Sequence, residues 1–193
     1  CYQIFLADTS MSKGWTSLTL NLTTPAAPSE RPILTLNLTI LTLNLTILTL
    51  NLSCGVTPVA VSNGSLQIAI PMLEHHDVEM PIIANSLRFS DTGEFEAMEF
   101  VHNEDDGVRK GDLARIAAER GHRVIGCAGD SKGDICMAEA TAALGGLVLA
   151  CGDGGLTAWC EANEGSLVSA NGWCTFTDYG QVTKAVQSRL GGF

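Results

Sequence analysis

The sequence predicts a single α/β domain in which a parallel sheet is covered by helices on both faces. Two observations support this prediction. From residue 55 onward, short apolar runs alternate with stretches of helical spacing, an order that is typical of parallel sheets. Each apolar run also ends in a polar or glycine-containing turn. With 193 residues, the chain is long enough for one such domain with a substantial core and a small insertion.

The predicted elements follow one another along the chain. Strands are predicted at 2–7, 56–61, 81–85, 124–128, 147–150 and 173–176, and a hairpin at 87–101. Helices are predicted at 113–120, 135–144, 156–162 and 179–190. A further helix is predicted to begin at Leu66, and Pro71 is expected to kink or shorten it because proline lacks the backbone N–H.

The composition argues against a nucleic-acid partner and for a reducing compartment. The net charge is −10 with 11 basic residues that form no run, which argues against a nucleic-acid partner. The sequence shows no basic segment followed by an apolar core, which is the pattern of a signal peptide. Seven cysteines without zinc-type spacing indicate a reducing compartment, and we expect a cytoplasmic protein.

Residues 15–54 differ from the rest of the chain. The segment Leu34–Ile40 recurs unchanged as Leu41–Ile47 and nearly complete as Leu48–Ser53. Alternation with period two is strand-like, but a repeat of seven residues turns each copy to the opposite face. A membrane helix is disfavoured because Thr or Asn occupies nearly every second position. We therefore predict a core domain formed by 1–14 and 55–193, with 15–54 as a low-complexity insertion.

The repeat also creates four Asn-x-Thr/Ser sequons, at Asn21, Asn37, Asn44 and Asn51. These sequons leave open an alternative interpretation as a glycosylated surface protein. Glycan at Asn37 or Asn44 would support that interpretation, and a mass equal to the bare chain would exclude it.

Polar residues follow three of the predicted strands. They are Asp8 after 2–7, the Ser62-Asn63-Gly64 turn after 56–61, and Asp130 with Asp134 after 124–128. The carboxyl ends of parallel strands meet at one edge of a sheet, where α/β proteins bind ligands. Aspartates there suit Mg²⁺, and a Ser-Asn-Gly turn before a helix suits an anion. For each residue, a plain turn or a helix cap is the alternative.

Lys110 precedes the predicted helix 113–120. The helix dipole disfavours a cation at this end, so a nearby anion would explain its placement. A lysine that simply faces solvent is the alternative. Together with the aspartates and Ser62, Lys110 completes a set of side chains suited to metal-assisted phosphoryl transfer, in which Asp is a plausible nucleophile.

The order of these segments resembles the haloacid dehalogenase-type phosphohydrolases, most closely the phosphoserine phosphatase branch. Four pieces resemble the family motifs in order: Ile4–Ser12, Val59–Gly64, Arg109–Gly111 and Gly129–Ala138. The tail 156–182 is similar to relatives that act on a diketo methylthiopentyl phosphate. The resemblance covers roughly residues 1–12 and 55–185, and it implies a Rossmann-like (HAD-like) fold.

The resemblance implies a Mg²⁺-dependent phosphomonoester hydrolase, acting on a small phosphorylated metabolite without nucleic acid or membrane as partner. Asp8 would be the nucleophile that forms a phospho-aspartate, and Lys110 would pair with the phosphate and the nucleophile. The remaining implied roles are phosphate binding by Ser12, Ser62, Asn63 and Gly64, and metal binding by Asp8, Ser10, Asp130 and Asp134. Asp134 could instead orient Lys110 or a metal-bound water.

Two departures from the family pattern affect the expected activity. Ser10 stands where the family has an Asp that acts as general acid and base, a contribution of about 10²–10⁴-fold in rate. In an alternative alignment, Asp8 is that second Asp and Leu6 replaces the nucleophile. The segment 15–54 also replaces the helical cap, so the cap is degenerate or missing. A catalytically impaired relative or a phosphate-binding protein is therefore the alternative function.

Overall fold

The computed structural model describes residues 2–7, 55–75, 77–105 and 107–191. Asp8, Ser10 and Ser12 lie outside these ranges, as does the predicted insertion 15–54 with its sequons. Within the described ranges the chain forms a seven-stranded sheet with helices packed against it. The predicted α/β class, with a parallel sheet flanked by helices, is confirmed in this general form.

The strands and helices lie close to their predicted positions. The strands are β1 (Tyr2–Ala7), β2 (Val56–Ser65), β3 (Ile82–Phe89), β4 (Phe95–Glu99), β5 (Arg123–Gly129), β6 (Leu147–Cys151) and β7 (Trp173–Phe176). The helices are α1 (Leu66–His75), α2 (Lys110–Glu119), α3 (Ile135–Ala143), α4 (Gly155–Ala162), α5 (Leu167–Asn171) and α6 (Tyr179–Arg189). A short 3-10 turn, Lys132–Asp134, precedes α3.

The strand order in the sheet is β4-β3-β2-β1-β5-β6-β7. β2 is parallel to β3, and β5, β6 and β7 are parallel to one another. β1 lies between these two groups and is antiparallel to both β2 and β5. It follows that β2 and β5 run in the same direction, and that their carboxyl ends lie at one edge of the sheet.

The direction of β1 differs from the prediction that the first strand is parallel to the strands before Ser62 and Asp130. Ala7 pairs with Val56 and with Arg123, the first residues of β2 and β5. The chain therefore leaves β1 at the edge opposite to Ser62 and Asp130. The prediction that the carboxyl end of β1 shares their edge is wrong. An apolar run specifies a buried strand through its side chains, but it contains no signal for the direction of that strand.

β2 is longer than predicted because the Ser-Asn-Gly segment belongs to it. Val61 pairs with Ile83, and the next pair is Ser65 with Asn85. Four steps along β2 therefore match two steps along β3, so the intervening Ser62-Asn63-Gly64 segment bulges out of the ladder. Bulges re-aim side chains and are common beside functional sites. We call Ser62–Gly64 the β2 bulge.

Both faces of the central strands β5 and β6 are buried, as expected for parallel strands. Along β6, Val148 and Ala150 pack into the cluster that contains Met137 of α3, whereas Leu149 packs into the cluster that contains Val182 of α6. None of the described helices is long and apolar enough to span a bilayer.

Candidate functional site

The carboxyl ends of β2 and β5 define the candidate site. On β1, Tyr2 pairs with Val61 and Gln3 pairs with Ala128, so the two ends are nearly level with one strand between them. The spacing of strands places β2 and β5 about 10 Å apart. The β2 bulge lies in the last part of β2 and Asp130 directly follows β5, so the site lies at the amino end of β1, where the order of the strands changes direction.

A buried ion pair lies beside this edge. Lys110 Nζ donates to Asp134 Oδ1 at 2.7 Å, and the two side chains are 3% and 0% exposed. Lys110 is the first residue of α2. The anion that compensates a cation at this helix start is therefore Asp134. Removing both charges from water is costly, and it is tolerated when the geometry is good and further hydrogen bonds are made.

Close packing of α2 against α3 brings the two charges together. A Cβ at Gly111 would lie 2.6 Å from the carbonyl oxygen of Cys136, so only glycine allows this approach. Gly111 directly follows Lys110, and Cys136 lies two residues after Asp134. The glycine that was predicted from sequence as part of a motif thus has a steric role in forming the ion pair.

Asp134 is held from the other side by the end of β5. Its Oδ2 accepts from the backbone N–H groups of Asp130 and Ser131, at 3.2 and 2.9 Å, and from Ser131 Oγ at 2.9 Å. A Cβ at Gly129 would lie 2.8 Å from the Asp134 Cβ, so the missing side chain makes room for the aspartate. Three donors on one oxygen and an ammonium on the other indicate that Asp134 positions Lys110.

Asp130 is held through its backbone and has an exposed side chain. Its N–H donates to Asp134, and its carbonyl accepts from Leu156 N–H at 3.3 Å. Gly154 also packs against that carbonyl, at a distance that a Cβ would not permit. The carboxylate of Asp130 is therefore presented to solvent from a fixed backbone.

The described residues alone do not fit a Mg²⁺ site. They contain no group of three or more His, Cys, Asp or Glu side chains that could hold a metal. Asp130 offers one exposed carboxylate, but Asp134 is occupied by four donors. The other predicted ligands, Asp8 and Ser10, lie outside the described residues, and Ala7 before them lies at the opposite edge.

The β2 bulge makes internal hydrogen bonds that the sequence did not predict. Ser62 Oγ accepts from Gly64 N–H at 3.0 Å, so this N–H, a predicted phosphate donor, already has a partner. Asn63 Oδ1 accepts from Val108 N–H at 2.8 Å. Ser62 remains half-buried at the edge, where its hydroxyl hydrogen can still be donated to a ligand.

Asn85 is a further polar residue at this edge, and sequence reasoning gave it no role. It is 1% exposed, its Nδ2 donates to the Asn63 carbonyl at 2.9 Å, and its Oδ1 accepts from Val101 N–H at 3.1 Å. Next to it, the buried Ser65 hydroxyl has no partner within the described ranges. An asparagine that interrupts the apolar run Ile82-Ile-Ala was the available signal, because buried amides need partners.

Cys127, in the middle of β5, is not a candidate nucleophile. Complete burial raises the pKa of its thiol to about 12, so the reactive thiolate does not form near neutral pH. Burial also raises the pKa of Tyr179, with smaller contributions from Cys151 and Asp130. The candidate polar side chains for ligand contact at this edge are therefore Ser62, Lys110 and Asp130.

Comparisons with protein-family models, with curated proteins and with solved structures found no match to the chain. The fold and the site define an α/β domain with a buried lysine–aspartate pair at the carboxyl edge of its sheet. The resemblance to the haloacid dehalogenase-type phosphohydrolases rests on the sequence motifs.

Proposed function

We propose that the chain is a haloacid dehalogenase-type phosphohydrolase domain that binds a small phosphorylated metabolite at the carboxyl edge of β2 and β5. The observation that supports this proposal is the buried Lys110–Asp134 pair. A lysine 2.7 Å from a carboxylate that three other donors hold is fixed in position. A fixed cation in a poorly hydrated site stabilises phosphoryl oxygens more strongly than a mobile surface lysine does.

The residues at this edge would share the work of binding. The Ser62 hydroxyl and the bulge would contact phosphate oxygens, and the ammonium of Lys110 would balance their charge. Asp134 would keep Lys110 in place without contacting the ligand. In the proposal, Mg²⁺ is a cofactor that requires Asp8 and Ser10 in addition to Asp130. The five free cysteines of the described ranges support a reducing, cytoplasmic location.

The proposed reaction is hydrolysis of the phosphomonoester through a phospho-aspartate at Asp8. Its support is the order of the four motifs along the chain. The second candidate function is binding of the phosphorylated metabolite without turnover. The direction of β1 favours this candidate, because Ala7 lies at the opposite edge from Asp130. Ser10 favours it as well, since a hydroxyl cannot replace a carboxylic acid in acid–base catalysis at neutral pH.

Two measurements on the full chain test both candidates. Binding of inorganic phosphate is measured by titration calorimetry with the wild type, Lys110→Met and the control Lys184→Met. Lys184 is an exposed lysine on α6. We expect Lys110→Met to weaken phosphate binding about tenfold or more, since it removes a charge-assisted hydrogen bond, and Lys184→Met to leave it unchanged. Equal affinity in all three proteins would contradict the proposed site.

Hydrolysis of p-nitrophenyl phosphate, with and without Mg²⁺, separates the two candidates. Mg²⁺-dependent turnover that Asp8→Asn abolishes supports the phospho-aspartate mechanism. Phosphate binding without turnover above that of Asp8→Asn supports the binding protein and excludes the hydrolase. A wild-type chain that neither binds nor hydrolyses would contradict both.

A further inference from the structure

Two asparagines hold the two ends of one loop. The described residues of this loop are 101–105, 107 and 108, between β4 and α2. At its start, Val101 N–H donates to Asn85 Oδ1 at 3.1 Å. At its end, Val108 N–H donates to Asn63 Oδ1 at 2.8 Å. A third bond, from Asn85 Nδ2 to the Asn63 carbonyl at 2.9 Å, joins the asparagines. We call this arrangement the asparagine clamp.

The loop between these attachment points is closed on itself. His102 N–H donates to the Gly107 carbonyl at 3.0 Å, and Gly107 N–H donates to the Asn103 carbonyl at 2.8 Å. Gly107 has a φ of +58°, and a Cβ on it would lie 3.1 Å from Asn63 Oδ1. The loop thus packs its glycine directly against the clamp, and a displacement of the clamp would be passed to the residues that follow.

The residues that follow lead directly to Lys110. Val108 is 3% exposed and lies two residues before Lys110, while Asn63 is the central residue of the β2 bulge that carries Ser62. The clamp therefore joins the backbone of Ser62 to the backbone that precedes Lys110. The lysine is held at its side-chain end by Asp134 and at its backbone end by the clamp.

We propose that Asn63 and Asn85 are positioning residues that set the distance between Lys110 and the β2 bulge, and thereby the affinity of the site for a phosphoryl group. This inference rests on the proposed function for its ligand. The side chain of Asn63 serves the loop, so its part in phosphate binding is indirect. The Asn85 side chain is buried and acts through Asn63 and Val101.

The test compares Asn63→Ala with Asn63→Asp and uses Asn171→Ala as a matched control. Asn63 is exposed, so its substitution leaves the core intact, and aspartate keeps the acceptor oxygen for Val108 N–H. Asn171 is another asparagine whose side chain bonds to the backbone: its Nδ2 donates to the carbonyls of Ala142 and Leu167, both at 3.0 Å. Asn171 is the last residue of α5 and contacts the carboxyl end of α3. The readouts are amide hydrogen exchange at Val108, inorganic phosphate affinity and urea unfolding.

We expect Asn63→Ala to raise the Val108 exchange rate and to weaken phosphate binding about five- to tenfold, the effect of about one lost hydrogen bond. Asn63→Asp restores slow exchange at Val108. Asn171→Ala lowers stability to a similar degree but changes neither Val108 exchange nor phosphate affinity. Unchanged phosphate affinity in Asn63→Ala, or an equal loss in Asn171→Ala, would overturn the positioning role.

Phosphate binding by the wild type separates failure of this inference from failure of the proposed function. If the wild type does not bind phosphate, the proposed function fails, and the positioning role is overturned with it, even when Val108 exchange confirms the clamp. If the wild type binds and Lys110→Met does not, the proposed function stands and the Asn63 variants decide the positioning role alone.

Discussion

Lys110 and Asp134 form an ion pair of 2.7 Å in which neither side chain is more than 3% exposed. The pair connects the start of α2 to the end of β5, because Asp134 is also bonded to the N–H groups of Asp130 and Ser131. A charge in this position cannot exchange its partner for water. Its removal is expected to affect the fold as well as the site.

Asp134→Ala should destabilise the domain more than Lys110→Met. Truncating Asp134 leaves an ammonium buried without its carboxylate and removes the acceptor of three donors, a loss of about 3–5 kcal/mol. Lys110→Met keeps the three donors on Asp134 Oδ2, so the remaining charge is partly compensated. Urea unfolding of both variants measures the difference. Equal free energies of unfolding for the two variants would contradict this expectation.

The exposed pair of Arg88 and Glu96 provides the control for that comparison. Its atoms are 3.1 Å apart, but the side chains are 57% and 45% exposed. Glu96→Ala should change the free energy of unfolding by less than about 1 kcal/mol, as is usual for surface ion pairs. A large effect there would show that charge alone, without burial, determines stability in this domain.

Much of the fold could be predicted because short apolar runs alternate with stretches of helical spacing, and the central parallel strands β5 and β6 are buried on both faces. Strand β7 has its predicted bounds, and β5, β6 and α4 begin or end within a residue of theirs. The short helix α5, Leu167–Asn171, was not predicted, since five residues carry little periodicity. The direction of β1 could not be predicted either. It depends on how β1 pairs with β2 and β5, and this pairing is a property of the whole sheet.

The pairing of Lys110 with Asp134 was predictable, but the other donors to Asp134 were not. The position of Lys110 at a helix start indicates a nearby anion, and the family resemblance implies Asp134 as a residue that could orient it. The sequence could not show the close approach of α2 to α3 that Gly111 permits. It also could not show which donors bond to Asp134 Oδ2. The hydrogen bond from Val108 N–H to the Asn63 side chain joins residues 45 apart in the sequence. No local pattern in the sequence predicts such a contact.

Gly129→Ala should destabilise the domain and disturb the end of β5. The new Cβ would lie 2.8 Å from the Asp134 Cβ and 3.0 Å from its Oδ2, and four hydrogen bonds prevent the aspartate from moving away. Overpacking of this kind typically costs about 1–3 kcal/mol. Thermal unfolding measures it, with Gly165→Ala as control, because a Cβ at Gly165 meets no atom within 4 Å. A variant as stable as the wild type would show that Asp134 can relax.

Cys127 should make stability depend on pH in the alkaline range. Burial raises its thiol pKa to about 12 in the folded state, above the value of about 8.5 in an unfolded chain. The unfolded state therefore loses this proton first. The contribution to stability is complete below about pH 8 and declines by up to about 1.4 kcal/mol per pH unit as the pH rises toward the folded-state pKa.

Comparison with Cys127→Ala isolates this contribution from other titrating groups. The difference in free energy of unfolding between wild type and variant should shrink from about pH 8 to about pH 11, measured by urea unfolding. Val124→Ala is the control, since Val124 is 5% exposed on the same strand and does not titrate. A difference that is constant with pH for Cys127→Ala would contradict the raised pKa.

The direction of β1 predicts a specific set of contacts between backbone hydrogens. In the antiparallel register, Gln3 pairs with Ala60 and Ile4 with Val59. One of every two successive antiparallel pairs is the close kind, with Cα atoms about 4.5 Å apart. We therefore expect a strong Hα–Hα nuclear Overhauser effect within one of these two pairs in the labelled full chain. The corresponding contacts to β5 join Ile4 with Cys127 and Gln3 with Ala128.

The same spectra bear on turnover. If β1 ran parallel to β2, Ala7 would lie beside Val61 and Asp8 would follow at the edge of Asp130, as hydrolysis through Asp8 requires. Contacts of Ala7 with Val61 in place of Val56 would therefore contradict the antiparallel register and strengthen the hydrolase. With the antiparallel contacts present, we expect Ser10→Asp not to raise p-nitrophenyl phosphate hydrolysis, because Ala7 then ends β1 at the edge opposite to Asp130. A sharp rise in rate on that substitution would show that Asp8 and Ser10 reach Lys110 despite the direction of β1.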